Sequence, residues 1–379
     1  MTKYLQNDIG VPEIKALLIA LSDREPTAEI QRIFNKVKPD IFVSLTERHR
    51  ITPLVYRYLI QNEDLVQPTL INRLKELSKS HAIKALMHEA ALIDVCKEFN
   101  NLHIDYIVIK GPQLSHFLYG DGSVRTSVDL DIFLRDYTAF EKAKGVLHGL
   151  GYNRTNYPEE GGWLREHIFK TGKHECFFIN NKNRVCIDLH IKPVANSIFD
   201  EKYHRIFFNQ TEQYEFHGTP VYVPSPLNYF LFLCYHGAVH QYGSLHWLAD
   251  ICYFTRLHPF SSEELIQKAS ELRLERHLAL SFMVMNKLCG ITQNYDIIES
   301  GGKSGMHKKL YRFCILSMTK EKDYAFTIKG RFRKTIYRLM LSGSLTGKAD
   351  VVLSIFFRYT YKAFMGFGNS KKQIPRKKR

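Results

Sequence analysis

Asp129 and Asp131 stand two residues apart in the segment 128–134, where they alternate with Val128, Leu130 and Ile132. In an extended strand that alternation turns both carboxylates to one face, roughly 7 Å apart at Cα. Two carboxylates so placed repel each other unless a cation joins them. Mg²⁺ (or Mn²⁺), held by one or two carboxylates together with substrate phosphates, is the cation that fits. Lys110 and Arg125 flank this face and are able to neutralise phosphate charge, and Ser127 adds a hydrogen-bond donor. Taken alone, Asp-x-Asp at a strand edge is more often a solvated polar face. The order of elements around it shifts the balance toward chemistry.

Residues 104–109 are β-branched and apolar and read as a buried strand ending at Lys110-Gly111. Gly111 permits a tight turn, and Pro112 opens a short helix over 113–119, since its missing N–H has no intrahelical partner to lose. Gly120 stops that helix. The polar loop 121–127 then carries Arg125 and Ser127 into the Asp-x-Asp strand. A later hairpin is predicted from strands 174–179 and 185–191 around the turn 180–183. In its second strand Val185, Ile187 and Leu189 share one face, and Cys186, Asp188 and His190 share the other. Burying Asp188 unpaired in so apolar a strand is expensive.

The order strand, Lys-Gly, helix ending in Tyr-Gly, Arg, Asp-x-Asp resembles the uncharacterised nucleotidyltransferase family of the DNA polymerase β-like nucleotidyltransferase superfamily. The residues that carry the resemblance are Lys110, Gly111, Tyr119, Gly120, Arg125, Asp129 and Asp131, with Asp188-Leu189-His190 later in the chain. The resemblance implies that Asp188 is a third carboxylate brought to the same metals as Asp129 and Asp131. It also implies that Lys110, Gly111, Arg125 and Ser127 grip the nucleotide. His190 is then either a substrate-orienting group or proton acceptor, or a hydrogen-bonded structural residue. The wider superfamily has Gly-Ser or Gly-Gly at the first turn; Lys110-Gly111-Pro112 departs from that pattern. Family members also resemble this chain in a histidine-bearing helix followed by Trp and Asp, here His236, His240, Trp247 and Asp250. These form an acceptor-side face or, somewhat more plainly, helix–helix hydrogen bonds. His236 and His240 at i,i+4 spacing lack the Glu of a zinc-protease motif, because Gly237 stands there.

The expected fold class is α+β. A polymerase β-like nucleotidyltransferase core, a small mixed sheet with flanking helices, is joined by N- and C-terminal helical regions. Residues 1–100 read as a helical region with helices at 12–20, 27–37, 40–48 and 70–99; 101–223 as the catalytic core; 224–300 as a helical region completing the site, with helices at 227–241, 245–257 and 276–288. Residues 153–162 read as a loop and 220–223 as a short strand. The segment 301–379 holds 20 Lys and Arg against Glu321, Asp323 and Asp350, so the net charge of +15 is concentrated there and residues 1–300 sum to about −2. That balance argues against a broad nucleic-acid groove across the core. The aromatic, basic stretch 351–367 and the tail 371–379 have the composition of a peripheral contact with an anionic membrane or RNA, or else of a packing helix with a disordered tail. Seven scattered cysteines without a Cys-x-x-Cys pair and an N-terminus without an apolar core predict a cytoplasmic protein, peripheral at the inner membrane surface if the tail binds there.

The expected activity is metal-dependent transfer of a nucleoside monophosphate from a nucleoside triphosphate to an acceptor: small molecule, saccharide or peptide. The resemblance implies a bacterial setting. Two alternatives stay open from the residues alone: a nucleotide-sugar-dependent transferase acting on a phosphorylated acceptor, since Asp-x-Asp serves there too, and an inactive nucleotide-binding or membrane/RNA scaffold protein.

Overall fold

The structure, a computed structural model, describes residues 9–154, 175–190, 208–291, 295–300, 304–319, 327–343, 345, 347–349 and 351–353. The expected loop beyond Arg154, the aromatic helix beyond residue 353 and the basic tail lie outside the described residues. Prolines open many of the helices. The N-terminal region runs α1 (Pro12–Leu21), α2 (Ala28–Phe34), α3 (Pro39–Arg48), α4 (Thr52–Gln61) and the long α5 (Pro68–Asn101). Thr27 caps α2, its side chain accepting from the Ile30 N–H. α5 buries Leu70 and Leu74 near one end and Leu92, Val95, Cys96 and Phe99 near the other. Leu86, which periodicity assigns to the buried face, is exposed in the middle of the helix, where α5 bridges two packing surfaces.

β1 (Tyr106–Lys110), α6 (Pro112–Tyr119), β2 (Leu130–Leu134), α7 (Tyr137–Gly149), β3 (Tyr152–Arg154), β4 (Glu175–Asn180) and β5 (Cys186–His190) build the α+β core. Among the described residues the strands form a five-stranded mixed sheet in the order β1-β2-β5-β4-β3. β2 and β5 pair in parallel; the remaining neighbours are antiparallel. Two strand boundaries differ from the sequence reading. Asp129 precedes β2 rather than lying within it, because the ladder with β1 carries an irregularity between Val108 and Lys110 and closes at Lys110 against Asp131. Asn153 and Arg154 belong to β3, not to a loop, because they pair with Ile179 and Phe178 of β4.

A hairpin of β6 (Thr211–Phe216) and β7 (Thr219–Pro224) follows, then α8 (Pro226–Val239), α9 (Leu245–Leu257), α10 (Ser262–Glu271), α11 (Glu275–Val284), α12 (Tyr295–Ser300), α13 (Ser304–Thr319) and α14 (Ile328–Leu341). Ser225 stands at the N-cap of α8 without a side-chain capping bond, whereas Ser261 and Glu264 form a reciprocal capping box on α10. No helix of the described residues is long and apolar enough to cross a membrane.

α8 and α9 are fixed to the core by aromatic packing and by one ion pair. Phe117 on α6 contacts Tyr229 and Phe254, and Tyr229 donates its hydroxyl to the Ile109 carbonyl at 2.5 Å. Arg125 Nε donates to both carboxylate oxygens of Asp250 at 3.0 Å, with side chains only 5% and 1% exposed. Removing one partner of such a pair strands the other charge away from water, at a cost of about 3–5 kcal/mol. Asp250→Ala is therefore expected to lower the melting temperature sharply, whereas Asp105→Ala, which breaks the exposed Arg135–Asp105 pair, is expected to change it little; thermal denaturation of the two variants checks this.

Candidate active site

Parallel pairing of β2 with β5 sets Asp131 opposite Asp188, and Phe133 opposite His190. Both strands expose the same face at these positions, so the two carboxylates and the imidazole converge. His190 Nε2 lies 3.1 Å from Asp131 Oδ1 and 3.4 Å from Asp188 Oδ2. One ligand atom from each of Asp131, Asp188 and His190 can be chosen so that all lie within 4.8 Å of one another, a spacing suited to a single cation. Asp129, in the bend before β2, falls outside that group of three. The Asp131 charge still reaches it: burial first and that carboxylate second raise its pKa.

Lys110, at the end of β1, brings an ammonium beside Asp131. Its Nζ stands 3.4 Å from Asp131 Oδ2 and donates to His236 Nε2 at 3.1 Å. An ammonium has only donors, so His236 must accept there and carry its proton on Nδ1. Burial opposes ionisation of Asp131, but Lys110 and then His190 outweigh it and hold the carboxyl well below the usual carboxylate range. The converse holds for His190. Burial favours the neutral ring, while Asp188 and Asp131 raise its pKa above the ordinary value. The cluster is thus balanced by the chain's own positive charges.

Gly111 sits at φ 147°, and a Cβ there would come within 2.9 Å of Gln113 Oε1, so the turn that launches α6 requires glycine. Arg125 is turned inward onto Asp250, and its Nη1 donates to Ser127 Oγ at 3.3 Å. Burial works against the charge on Arg125, but Asp250 outweighs it and raises the guanidinium pKa further. The structure therefore joins Arg125, Ser127 and Asp250 in one buried network that shapes the loop before Asp129. Asp250, 1% exposed, uses its carboxylate in that network.

His236 and His240 pack at a tilt against Trp247, with ring centroids 5.4 and 5.0 Å away, and edge-on against each other at 4.6 Å. Burial, followed by Lys110 and His240, pushes the His236 pKa well below the imidazole range. Burial followed by Lys334 pushes His240 down to about 3. Both rings are neutral at physiological pH and form an aromatic wall beside Lys110. Sequence reasoning missed three contributors. Arg50, between α3 and α4 at φ 57°, acts on the Asp129 carboxyl, and Lys334 and Arg338 on α14 act on His240. Their contacts cross 79 to 98 residues of chain and leave no local pattern; only the i,i+4 spacing of Lys334 and Arg338 was there to be noticed.

Residues 35–290 match the family described as Uncharacterised nucleotidyltransferase. No curated protein matches the chain. Among solved structures the chain is similar to the crystal structure of an antigenic nucleotidyltransferase-like protein from Paracoccidioides brasiliensis, at 14% identity over 56% of this chain and 92% of that one, with a TM-score of 0.34. With the match extending over more than half of its length and enclosing β1, β2, β5, α8 and α9, the chain belongs to the uncharacterised nucleotidyltransferase family and is a nucleotidyltransferase.

Proposed function

We propose that the chain transfers a nucleoside monophosphate from a nucleoside triphosphate to a hydroxyl-bearing acceptor, with pyrophosphate leaving. The observation that carries this reading is the convergence of Asp131 and Asp188 at one register, with His190 beside them and Lys110 against Asp131. The acceptor oxygen bonds to the α-phosphorus as the bond from that phosphorus to the bridging oxygen breaks, and the hydroxyl proton passes to water or to a nearby base.

A divalent metal fits the donor set. Two carboxylates at neighbouring positions and an imidazole offer hard oxygen ligands with one nitrogen, which suits Mg²⁺ or Mn²⁺. Asp131 and Asp188 would hold it, with Asp129 nearby and His190 as a ligand once its ring has given up the proton that the carboxylates favour. Bound there, such a cation neutralises charge on the phosphates and polarises the α-phosphorus. The chain's own groups do the rest. Lys110 draws phosphate oxygens toward the carboxylates, the Arg125–Asp250 pair fixes the loop that presents Ser127 and Asp129, and the neutral His236, His240 and Trp247 give an uncharged aromatic wall on the acceptor side. Electrostatic positioning of this kind is the main contribution to phosphoryl and nucleotidyl transfer.

A ligand bound only by the folded state at about a hundred times its Kd stabilises by about 2.7 kcal/mol. Mg²⁺ together with a nucleoside triphosphate is therefore expected to raise the melting temperature, and a chelator, or Asp131→Asn or Asp188→Asn, to abolish the rise. Stabilisation by a nucleotide sugar and by no triphosphate would replace the reading with glycosyl transfer, and no shift with any donor would leave a scaffold. In the same titrations Lys110→Met is expected to weaken triphosphate binding by about tenfold, the loss of one charge-assisted hydrogen bond.

A further inference from the structure

The core-facing side of α5 carries Leu74, Leu92, Val95, Cys96 and Phe99. The opposite side is apolar at its centre as well. Ile83 and Leu86 are 62% and 64% exposed and Met87 is 39% exposed, and Ala90 beside them is exposed too. At about 3.6 residues per turn these four fall on one stripe of the helix. The stripe runs on through Glu76 and Lys79 toward one end of α5 and through Asp94 and Lys97 toward the other, and all four of these are exposed. Glu76, Ile83, Ala90 and Lys97 recur every seven residues, with Lys79 and Leu86 between them, the spacing of a seam between packed helices. Contiguous exposed aliphatic side chains with charges at their margins mark a contact surface.

The order of charges along the stripe indicates what covers it. Ile83 and Ala90 are equidistant from the midpoint between Leu86 and Met87, as are Lys79 and Asp94, and Glu76 and Lys97. Each residue is thus matched by one of complementary character, aliphatic with aliphatic and cation with anion. A two-fold axis through that midpoint, perpendicular to the helix, lays the stripe antiparallel on its own copy. Leu86 then meets Met87 of the second copy, Ile83 meets Ala90, Lys79 meets Asp94 and Glu76 meets Lys97, each contact occurring twice, as an isologous interface requires. Parallel pairing would instead set like charges side by side. Within one chain Lys79 Nζ lies 2.7 Å from Glu76 Oε1, with side chains 59% and 69% exposed. So exposed a pair holds weakly and leaves both groups able to bond across the axis. We propose that α5 is a self-association face, on which two copies of the chain form an antiparallel, two-fold symmetric dimer anchored by Ile83, Leu86 and Met87. The stripe is about 32 Å long. One helix face on its copy is small beside obligate interfaces, so the dimer dissociates on dilution. Because α5 leads into β1, this pairing carries the two sheets to opposite sides of the axis.

Sedimentation equilibrium of the full chain over a wide range of concentration tests this. The wild type is expected to exchange between monomer and dimer. Leu86→Asp, a change at an exposed position, is expected to remain monomeric at every concentration while keeping the circular dichroism spectrum of the wild type. Lys79→Glu and Asp94→Lys each set like charges opposite one another twice, and each is expected to weaken the dimer about tenfold. Mixed in equal amounts, these two variants regain opposite charges at both pairs and are expected to associate with wild-type affinity. A wild type that is monomeric throughout, or a Leu86→Asp dimer as tight as that of the wild type, would overturn the proposal. So would a mixture of the two charge variants that associates no more tightly than either alone, because antiparallel self-pairing about that axis is what makes them complementary.

Discussion

Like-charge repulsion between carboxylates held at matched positions on neighbouring strands governs this structure. Asp131 and Asp188 face each other because β2 and β5 run parallel in register, and neither can retreat to water. Each must be balanced where it stands. Lys110 and His190 do this from within the sheet, and the remaining architecture can be understood as the means of keeping those balancing charges in place. Lys110 is oriented by His236 of α8, which must stay neutral to accept its hydrogen bond, and burial of α8 against the core ensures that.

A second buried charge pair, Arg125 with Asp250, does a different job. It ties the loop before Asp129 to α9, so the approach to the carboxylates depends on the helical region as much as on the sheet. Buried ion pairs add little net stability compared with apolar packing, but they tolerate few alternative arrangements. The pair therefore fixes the position of the loop more than it strengthens the fold. The aromatic contacts of Phe117 with Tyr229 and Phe254 supply the cohesion that holds α6, α8 and α9 together.

Much of this was legible in the chain because proline and glycine mark the element ends: Pro112 and Gly120 bound α6, and Pro226 opens α8. The mixed α+β core and the strands bearing Asp131 and Asp188 follow from apolar runs interrupted by single acids. What could not be read were relationships between distant residues. Nothing local announces that Arg125 meets Asp250, or that His190 bridges two aspartates. The strand Thr211–Phe216 escaped notice because its residues are mostly polar and half-exposed and show no alternation, and its pairing with β7 is what makes it extended. Asp129 left the strand assigned to it because strand limits are set by the partner's ladder, here an irregularity in β1, and not by the alternation of its own sequence.

The sheet order has a consequence for how the site comes into being. β5 is the last of the five strands to be synthesised, yet it lies in the middle. Until it docks, β1 with β2 and β3 with β4 are separate pieces, and Asp131 has neither Asp188 nor His190 beside it. The emerging chain thus carries the strand Leu130–Leu134 with one unpaired edge and an apolar sequence, an arrangement open to wrong partners. Insertion of one five-residue strand closes that edge and completes the ligand cluster in the same event, so cation-binding competence and sheet closure are acquired together and a half-assembled chain has no complete site with which to capture a metal.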